Sequence, residues 1–245
     1  MLIVTVFTIF PDIIDDYCRK SLLGKALANG KWNLKIVNIR DYSNDKYRKV
    51  DDVPFGGGRG MIMKADVIGN AIENNLGSPR KTKIYYPSPR GELLSQLKIS
   101  AMEKFGDIAI VCGRYEGIDQ RVLEEFDIEE VSVGDFVLMG GELPALMMLE
   151  AIVRCVDGVI RLESIENDSF GAARENSYKN LLEHPLYTKP LQWRDKKVPE
   201  VLLSGHHANI ENWKLRQSEN ITRERRPDLY EKYLEELKKL SQNTK

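Results

Sequence analysis

The sequence predicts an α/β protein with a largely parallel sheet and helices on both faces, followed by a small, mainly helical C-terminal domain. Short apolar runs of strand length end at Gly or Pro and are followed by stretches with helical spacing, which is typical of parallel strands and crossover helices. Beyond residue 160 the chain turns polar and loses this alternation. We therefore expect an α/β domain at 1–160, an interdomain linker at 161–180 and a helical domain at 181–245.

The first elements follow from local patterns. Leu2 to Phe10 predicts a buried strand, and the absence of a basic segment and a cleavage site argues against a signal peptide. Ile13 to Asn29 has helical spacing, and Leu34 to Ile39 alternates as a strand does.

The middle of the chain predicts three further strands. Lys83 to Tyr86 is a short strand ending in a turn at Pro87 to Gly91, and a helix follows. Ile108 to Cys112 breaks at Gly113 into a polar turn. Phe136 to Met139 breaks at Gly140-Gly141, and Pro144 suits the first turn of the helix that follows.

The three strand-end turns predict one ligand crevice. Ligands of open α/β sheets lie at the carboxyl ends of the strands, and glycine there lets a ligand approach the backbone. Ordinary strand-to-helix turns are the alternative. Neither glycine turn matches G-x-G-x-x-G or the P-loop, so neither a dinucleotide nor a triphosphate is indicated.

Composition excludes several classes of protein. The net charge is −1, no apolar run has transmembrane length, and the three cysteines have neither disulfide nor zinc spacing. A cytoplasmic protein is expected. The charge is uneven, because residues 189–226 hold 9 basic and 5 acidic side chains whereas residues 1–160 hold 20 and 23. Such a local basic surface can bind phosphates.

A glycine-rich stretch at 56–60 surrounds Arg59. Because its flanks look ordered, it predicts a binding loop with exposed N–H groups for a phosphate or a base, with a flexible linker as the alternative. The basic residues Lys214 to Arg226, with Trp193 and Trp213 nearby, suit contact with an RNA backbone, or else form a solvated helix face. His206 and His207 lack a third ligand for a metal, and Cys112 is expected to be a buried thiol.

The order of the motifs resembles one family over nearly the whole chain. VDDVPFGGGRGM (50–61), YPSPRG (86–91), GRYEGID (113–119), SVGDFVLMGGELPA (132–145), DSF (168–170) and RRPDL (225–229) resemble the TrmD type of bacterial tRNA (guanine-N1)-methyltransferase, of the SPOUT class. The segment after DSF is longer than the resemblance leads us to expect, although Asp168 itself is retained.

The resemblance implies a SPOUT sheet with a trefoil knot towards the end of the α/β domain, S-adenosylmethionine as cofactor and magnesium as a possible requirement. It also implies a homodimer with active sites at the subunit interface and the anticodon stem-loop of tRNA as partner. The expected cofactor-binding residues are Tyr86, Pro87, Ser88, Pro89, Gly113, Tyr115, Glu116, Gly117, Ser132, Val133, Gly134, Phe136, Leu138, Gly140, Gly141 and Pro144.

The implied reaction methylates N1 of the guanine immediately 3′ of the anticodon. Asp168 is the expected general base and Arg154 the expected stabiliser of charge on the guanine, although pattern alone would make Asp168 a solvated or capping residue and Arg154 a solvated helical one. The residues expected to contact tRNA are Asp51, Gly56, Gly57, Gly58, Ser169, His207, Arg216 and Arg225. The alternatives are another SPOUT RNA methyltransferase, a non-catalytic RNA-binding module, or a structural protein in which the glycine turns are only turns.

Overall fold

The protein is described by a computed structural model that covers residues 1–76, 81–160, 169–170 and 178–243. The chain divides into two compact units, Met1–Ile160 and Arg161–Lys245. The strands of the first unit are β1 (Leu2–Thr8), β2 (Trp32–Asn38), β3 (Asp51–Asp52), β4 (Ile62–Met63), β5 (Lys83–Leu93), β6 (Asp107–Val111) and β7 (Glu129–Ser132). Its helices are α1 (Pro11–Cys18), α2 (Ser21–Ala28), α3 (Ala65–Leu76), α4 (Gln96–Phe105), α5 (Gln120–Glu125) and α6 (Glu142–Cys155), with a 3₁₀ turn at Ile39–Tyr42.

The central sheet is parallel throughout, in the order β2-β1-β6-β5-β7. Strand side chains alternate between its faces, and both faces are covered. Val4 and Val6 pack with residues of α1, α2, α4 and α6. Phe7 and Val111 pack with residues of α3 and α5. The predicted α/β class with helices on both faces is confirmed, and the trefoil knot stays a prediction.

The predicted strand at Phe136 to Met139 is wrong. The strand in this region is β7, which ends at Ser132, where the Ser132 hydroxyl accepts a hydrogen bond from the Gly134 N–H at 3.2 Å. In the part of the chain that the structure describes, this run belongs to no strand, and Phe136, Val137 and Met139 are 50%, 82% and 91% exposed. The apolar run forms an exposed loop between β7 and α6.

The predicted single helix at 13–29 is also wrong, because α1 ends at Cys18 and α2 begins at Ser21. At Gly24 the second helix lies so close to the carbonyl of Arg19 that a side chain would overlap it. The predicted turn at Pro87 to Gly91 belongs to β5 instead. That strand pairs with β7 on both sides of a register shift between Pro87 and Glu92.

The second unit contains a small antiparallel hairpin and two helices. These are β8 (Gln192–Trp193), β9 (Lys196–Lys197), α7 (His207–Arg225) and α8 (Pro227–Asn243), with a 3₁₀ turn at Glu200–Leu203. Pro227 opens α8 at a position where its missing N–H is harmless. Among the residues described, no helix has the length and apolarity needed to cross a bilayer.

Candidate active site

Three neighbouring segments of the sheet enclose one cleft of about 230 Å³. They are the middle of β5 around its register shift and the loops that leave the carboxyl ends of β6 and β7, and the first turn of α6 closes the cleft. All sixteen predicted cofactor-binding residues line it: Tyr86, Pro87, Ser88, Pro89, Gly113, Tyr115, Glu116, Gly117, Ser132, Val133, Gly134, Phe136, Leu138, Gly140, Gly141 and Pro144. The fold therefore gathers into one wall residues that are up to 58 positions apart (86 to 144).

Two of these loops touch through their backbones. The Gly141 N–H donates to the Gly113 carbonyl at 2.8 Å, and Arg114 forms an isolated bridge with Gly140. A Cβ at Gly141 would lie 2.8 Å from the Gly113 nitrogen, closer than real Cβ contacts. Glycine is required here because the turns after β6 and before α6 approach each other without room for a side chain.

A buried carboxylate joins these loops to the end of β1. Glu142 is 1% exposed, and its two oxygens accept hydrogen bonds from the Thr8 hydroxyl at 2.8 Å and the Arg114 Nε at 2.7 Å. The Arg114 guanidinium also lies 4.6 Å from the centre of the Phe10 ring. A buried charge with both oxygens satisfied holds its partners in one geometry. The network therefore fixes the β6 turn against the start of α6.

Tyr86 forms a wall between this cleft and a larger one. Its ring lies against Gly113 and Gly117, and burial raises the pKa of its phenol, so the side chain stays neutral. Cys112, behind the same turn, is fully buried as predicted, and burial raises the pKa of its thiol well above the usual value. The cleft therefore contains no reactive thiolate from this residue.

The second cleft has a volume of about 1270 Å³. It lies between the β3–β4 hairpin, the middle of β5 and the loop after β6, and it shares Tyr86, Ser88, Pro89, Glu116 and Gly117 with the first. Phe55, which is 98% exposed, belongs to its lining. Gly56, Gly57 and Gly58 follow with φ of 86°, 80° and 122°, in the left-handed region that favours glycine. The glycine-rich loop thus borders a cleft that adjoins the predicted cofactor cleft.

Two other predicted residues of the first unit, Arg154 and Asp51, are not among the residues that line these clefts. Arg154 is exposed in the last turn of α6, ten residues beyond Pro144 and so about 15 Å along the helix. Asp51 pairs with Met63 in the β3–β4 hairpin. Asp168 lies outside the described residues. The Ser169 hydroxyl accepts a hydrogen bond from the Glu183 N–H at 2.9 Å.

The predicted tRNA-contacting residues of α7 are exposed but do not share one face. His207 begins the helix, and Arg216 and Arg225 are nine residues apart, which turns their side chains about half a revolution from each other. Of the two tryptophans, Trp213 packs edge-on against His184 and Tyr187 at 6.3 Å and 6.1 Å. Trp193 is 59% exposed.

Sequence reasoning missed four residues of the first cleft, namely Arg114, Val131, Val137 and Met139. Arg114 stands inside the GRYEG turn, so its position was available from the motif, but its partner Glu142 is 28 residues away and Thr8 is 134 residues from Glu142. Only packing could identify that network. Among the described residues, no group of three or more His, Cys, Asp or Glu side chains could hold a metal ion.

Comparisons with known proteins identify the family of the chain. The family model of tRNA (Guanine-1)-methyltransferase TrmD matches residues 2–232. A tRNA (guanine-N(1)-)-methyltransferase of Pelagibacter ubique is 46% identical over 228 residues, covering 93% of this chain and 96% of that protein. One from Ehrlichia ruminantium is 47% identical over 227 residues (92% and 94%), and one from Ruminiclostridium cellulolyticum 44% over 228 residues (93% and 95%). The chain belongs to the TrmD family of tRNA (guanine-N1)-methyltransferases.

Proposed function

We propose that the protein transfers a methyl group from S-adenosylmethionine to N1 of the guanine immediately 3′ of the anticodon in tRNA. The observation that carries the proposal is the pair of adjoining clefts that share five residues, because methyl transfer needs two reactants side by side. Membership of the family supports the same reaction. With tRNA as substrate, we place the protein in the cytoplasm.

The smaller cleft suits the cofactor. Its walls combine backbone at the glycine turns with the apolar side chains of Phe136 and Leu138, a lining that suits the flat adenine and the aliphatic carbons around the sulfonium of S-adenosylmethionine. The sixteen predicted residues would hold the cofactor, which supplies an electrophilic methyl group. We assign no described residue to magnesium, since the donor groups there do not assemble a site.

The chemistry requires a base at N1 of guanine and a cation near O6. N1 carries a proton at neutral pH, and negative charge grows on the ring as that proton leaves. Asp168 is our general base, a role worth roughly 10²–10⁴-fold in rate. Arg154 is our stabiliser of the developing charge, worth roughly 10²–10³-fold.

We assign tRNA binding to the larger cleft and to the second unit. The loop at Gly56 to Gly58 follows the lining residue Phe55 of the cleft that would take the extruded guanine and its neighbour, and Asp51 precedes the lining residue Asp52. Ser169, His207, Arg216 and Arg225 would contact the anticodon stem-loop. Arg216 and Arg225 project from opposite faces of α7. One straight RNA strand along the helix therefore cannot contact both.

We further propose a homodimer, with the active site at the subunit interface. In α1 the residues Ile13 and Tyr17 are exposed, and in α6 Leu143 and Met147 are exposed, each pair one turn apart. The Tyr17 hydroxyl donates to Glu150 of α6 at 3.0 Å, so the two exposed faces lie side by side. A contiguous apolar face of this kind is typical of an obligate interface.

Methylation by variants tests the reaction. Wild type, Asp168→Asn and the neighbouring control Glu166→Gln are incubated with labelled S-adenosylmethionine, magnesium and two tRNA transcripts, with guanine or adenine 3′ of the anticodon. We expect methylation of the guanine transcript only, a kcat roughly 10²–10⁴-fold lower for Asp168→Asn, and no comparable loss for Glu166→Gln.

Two results would contradict the reaction. Equal methylation of both transcripts would move the target to another nucleotide. Failure of the wild-type protein to bind S-adenosylmethionine would remove the cofactor and leave an RNA-binding or structural protein.

Co-expression of two inactive chains tests the shared site. If Arg154 from one subunit works with Asp168 of the partner subunit, a heterodimer of Asp168→Asn and Arg154→Ala chains keeps one intact site. Random pairing should then restore about a quarter of wild-type activity, while each variant alone stays inactive. No recovery in a purified heterodimer would place both residues in one subunit's site.

A further inference from the structure

The hairpin β8–β9 displays an aromatic side chain and several cations that the proposed chemistry does not use. Residues 189–197 contain four basic side chains and one acidic side chain, namely Lys189, Arg194, Lys196 and Lys197 against Asp195. Every residue from 191 to 197 is exposed. Among the described residues, none of these four cations forms an ion pair.

The turn of the hairpin places one cation on the tryptophan ring. Arg194 has φ of 55°, an uncommon conformation for a residue with a side chain. Its guanidinium lies 4.6 Å from the Trp193 ring centre, and the Gln192 side-chain amide donates to its carbonyl at 2.9 Å. One face of Trp193 is therefore covered by a cation, yet 59% of the side chain remains exposed.

The register of the hairpin separates its two lysines. Trp193 pairs with Lys196, and Gln192 pairs with Lys197. Directly paired residues of an antiparallel ladder project to the same face and neighbouring residues to opposite faces. Lys196 therefore shares the face of Trp193, whereas Lys197 lies on the other face. The Val198 N–H donates to the Leu191 carbonyl at 3.0 Å and continues the pairing beyond β9.

We propose that this hairpin is a tRNA contact in which an unpaired base stacks on the open face of Trp193 and Lys196 meets an adjacent phosphate. The occupant is a polyanion with flat bases because the surface combines an exposed indole with a net charge of +3 (four basic minus one acidic residue in 189–197). The inference rests on the proposed function for its choice of tRNA, and it adds a contact outside the two clefts. Trp213 is not part of this contact, because its ring packs against His184 and Tyr187 within the second unit.

The test measures binding of unmodified full-length tRNA and its salt dependence. Base stacking on an aromatic side chain predicts a Kd about 5- to 100-fold higher for Trp193→Ala, with most affinity kept in Trp193→Phe. Lys196→Gln should reduce the slope of log K against log salt by about 0.7–0.9. Lys197→Gln, on the opposite face, is the matched control and should change the slope little. In methylation assays Trp193→Ala should raise KM for tRNA, with kcat and the KM for S-adenosylmethionine unchanged.

Three results would overturn the hairpin contact. The first is an unchanged Kd for Trp193→Ala. The second is equal slope changes in Lys196→Gln and Lys197→Gln, which would indicate diffuse attraction without a defined face. The third is a change of oligomeric state in Trp193→Ala at constant RNA affinity, which would make the surface a protein contact.

The two proposals fail separately. Hairpin-dependent tRNA binding by a wild-type protein that does not methylate would retain the contact and reject the reaction. If wild type and Trp193→Ala methylate tRNA with the same KM, the reaction is retained and the hairpin contact is rejected.

Discussion

The two units of the chain bury their side chains in different ways. Met1–Ile160 contains two clusters of buried apolar residues, one on each face of the sheet. In the described part of Arg161–Lys245 the buried apolar side chains are Leu181, Leu229 and Tyr233, joined by two buried hydroxyls, Ser218 and Thr222. The first unit is held by two extensive apolar clusters, whereas the described part of the second has a few buried apolar side chains and the hydrogen bonds of Thr222.

This difference fits the proposed division of roles, with the cofactor bound by the first unit and RNA contacted by the second. A cleft built from backbone turns must be held to a fraction of an ångström, which a densely packed sheet provides. A surface that meets RNA needs exposed cations and aromatic rings, and it can tolerate a small core. We therefore expect the cofactor cleft to be preformed and the second unit to contribute through exposed side chains.

The largest expected effect comes from the core of the sheet. Ile110 is fully buried in β6, so Ile110→Ala should lower the free energy of unfolding by about 2–5 kcal/mol. Leu229→Ala, where Leu229 is 8% exposed at the start of α8, should cost less because solvent and neighbouring side chains can fill the space. Both losses can be measured by denaturant unfolding, with hydrogen exchange reporting on each unit separately. Equal losses would contradict the difference in packing between the two units.

The buried network of the first unit should give the next effect. Glu142→Gln can keep a carbonyl oxygen for the Arg114 Nε, but it removes the negative charge and leaves the guanidinium uncompensated. We expect a loss of about 3 kcal/mol in unfolding free energy, at the lower end for buried pairs because Arg114 keeps part of its surface in water. Affinity for S-adenosylmethionine should fall as well, as calorimetry can measure. Glu125→Gln, at an exposed position of α5, is the control, and a similar loss there would remove the special role of the network.

The smallest effect tests the polar bridge of the second unit. The Thr222 hydroxyl accepts from the Leu182 N–H at 2.8 Å and donates to the Ser218 carbonyl at 2.6 Å. Thr222→Val keeps the shape and removes both bonds, so we expect a loss of about 1–2 kcal/mol, measured by denaturant unfolding. Thr188→Val, at an exposed position, should be neutral. A neutral Thr222→Val would mean that apolar packing alone holds this unit.

The predictions from sequence agree best with the structure where the residues of a site belong to short motifs that are continuous along the chain. The glycine turns predicted a crevice, and the sixteen residues that the family resemblance named for the cofactor line one cleft. It failed where a local pattern competes with packing. Phe136 to Met139 has the apolarity of a strand but lacks a partner strand, and the helix expected at 13–29 breaks where Gly24 meets the Arg19 carbonyl.

The sequence by itself determined the class of fold, the family and the turns that carry the glycines, because strand length, helical spacing and motif order are local properties. Only the tertiary structure decided that Glu142 joins Thr8 to Arg114, that the two clefts share Tyr86 and Glu116, and that Trp193 is exposed while Trp213 is packed. Those facts depend on contacts between residues distant along the chain. Such contacts form when the packing of the sheet and helices brings distant surfaces together. No local pattern in the sequence encodes them.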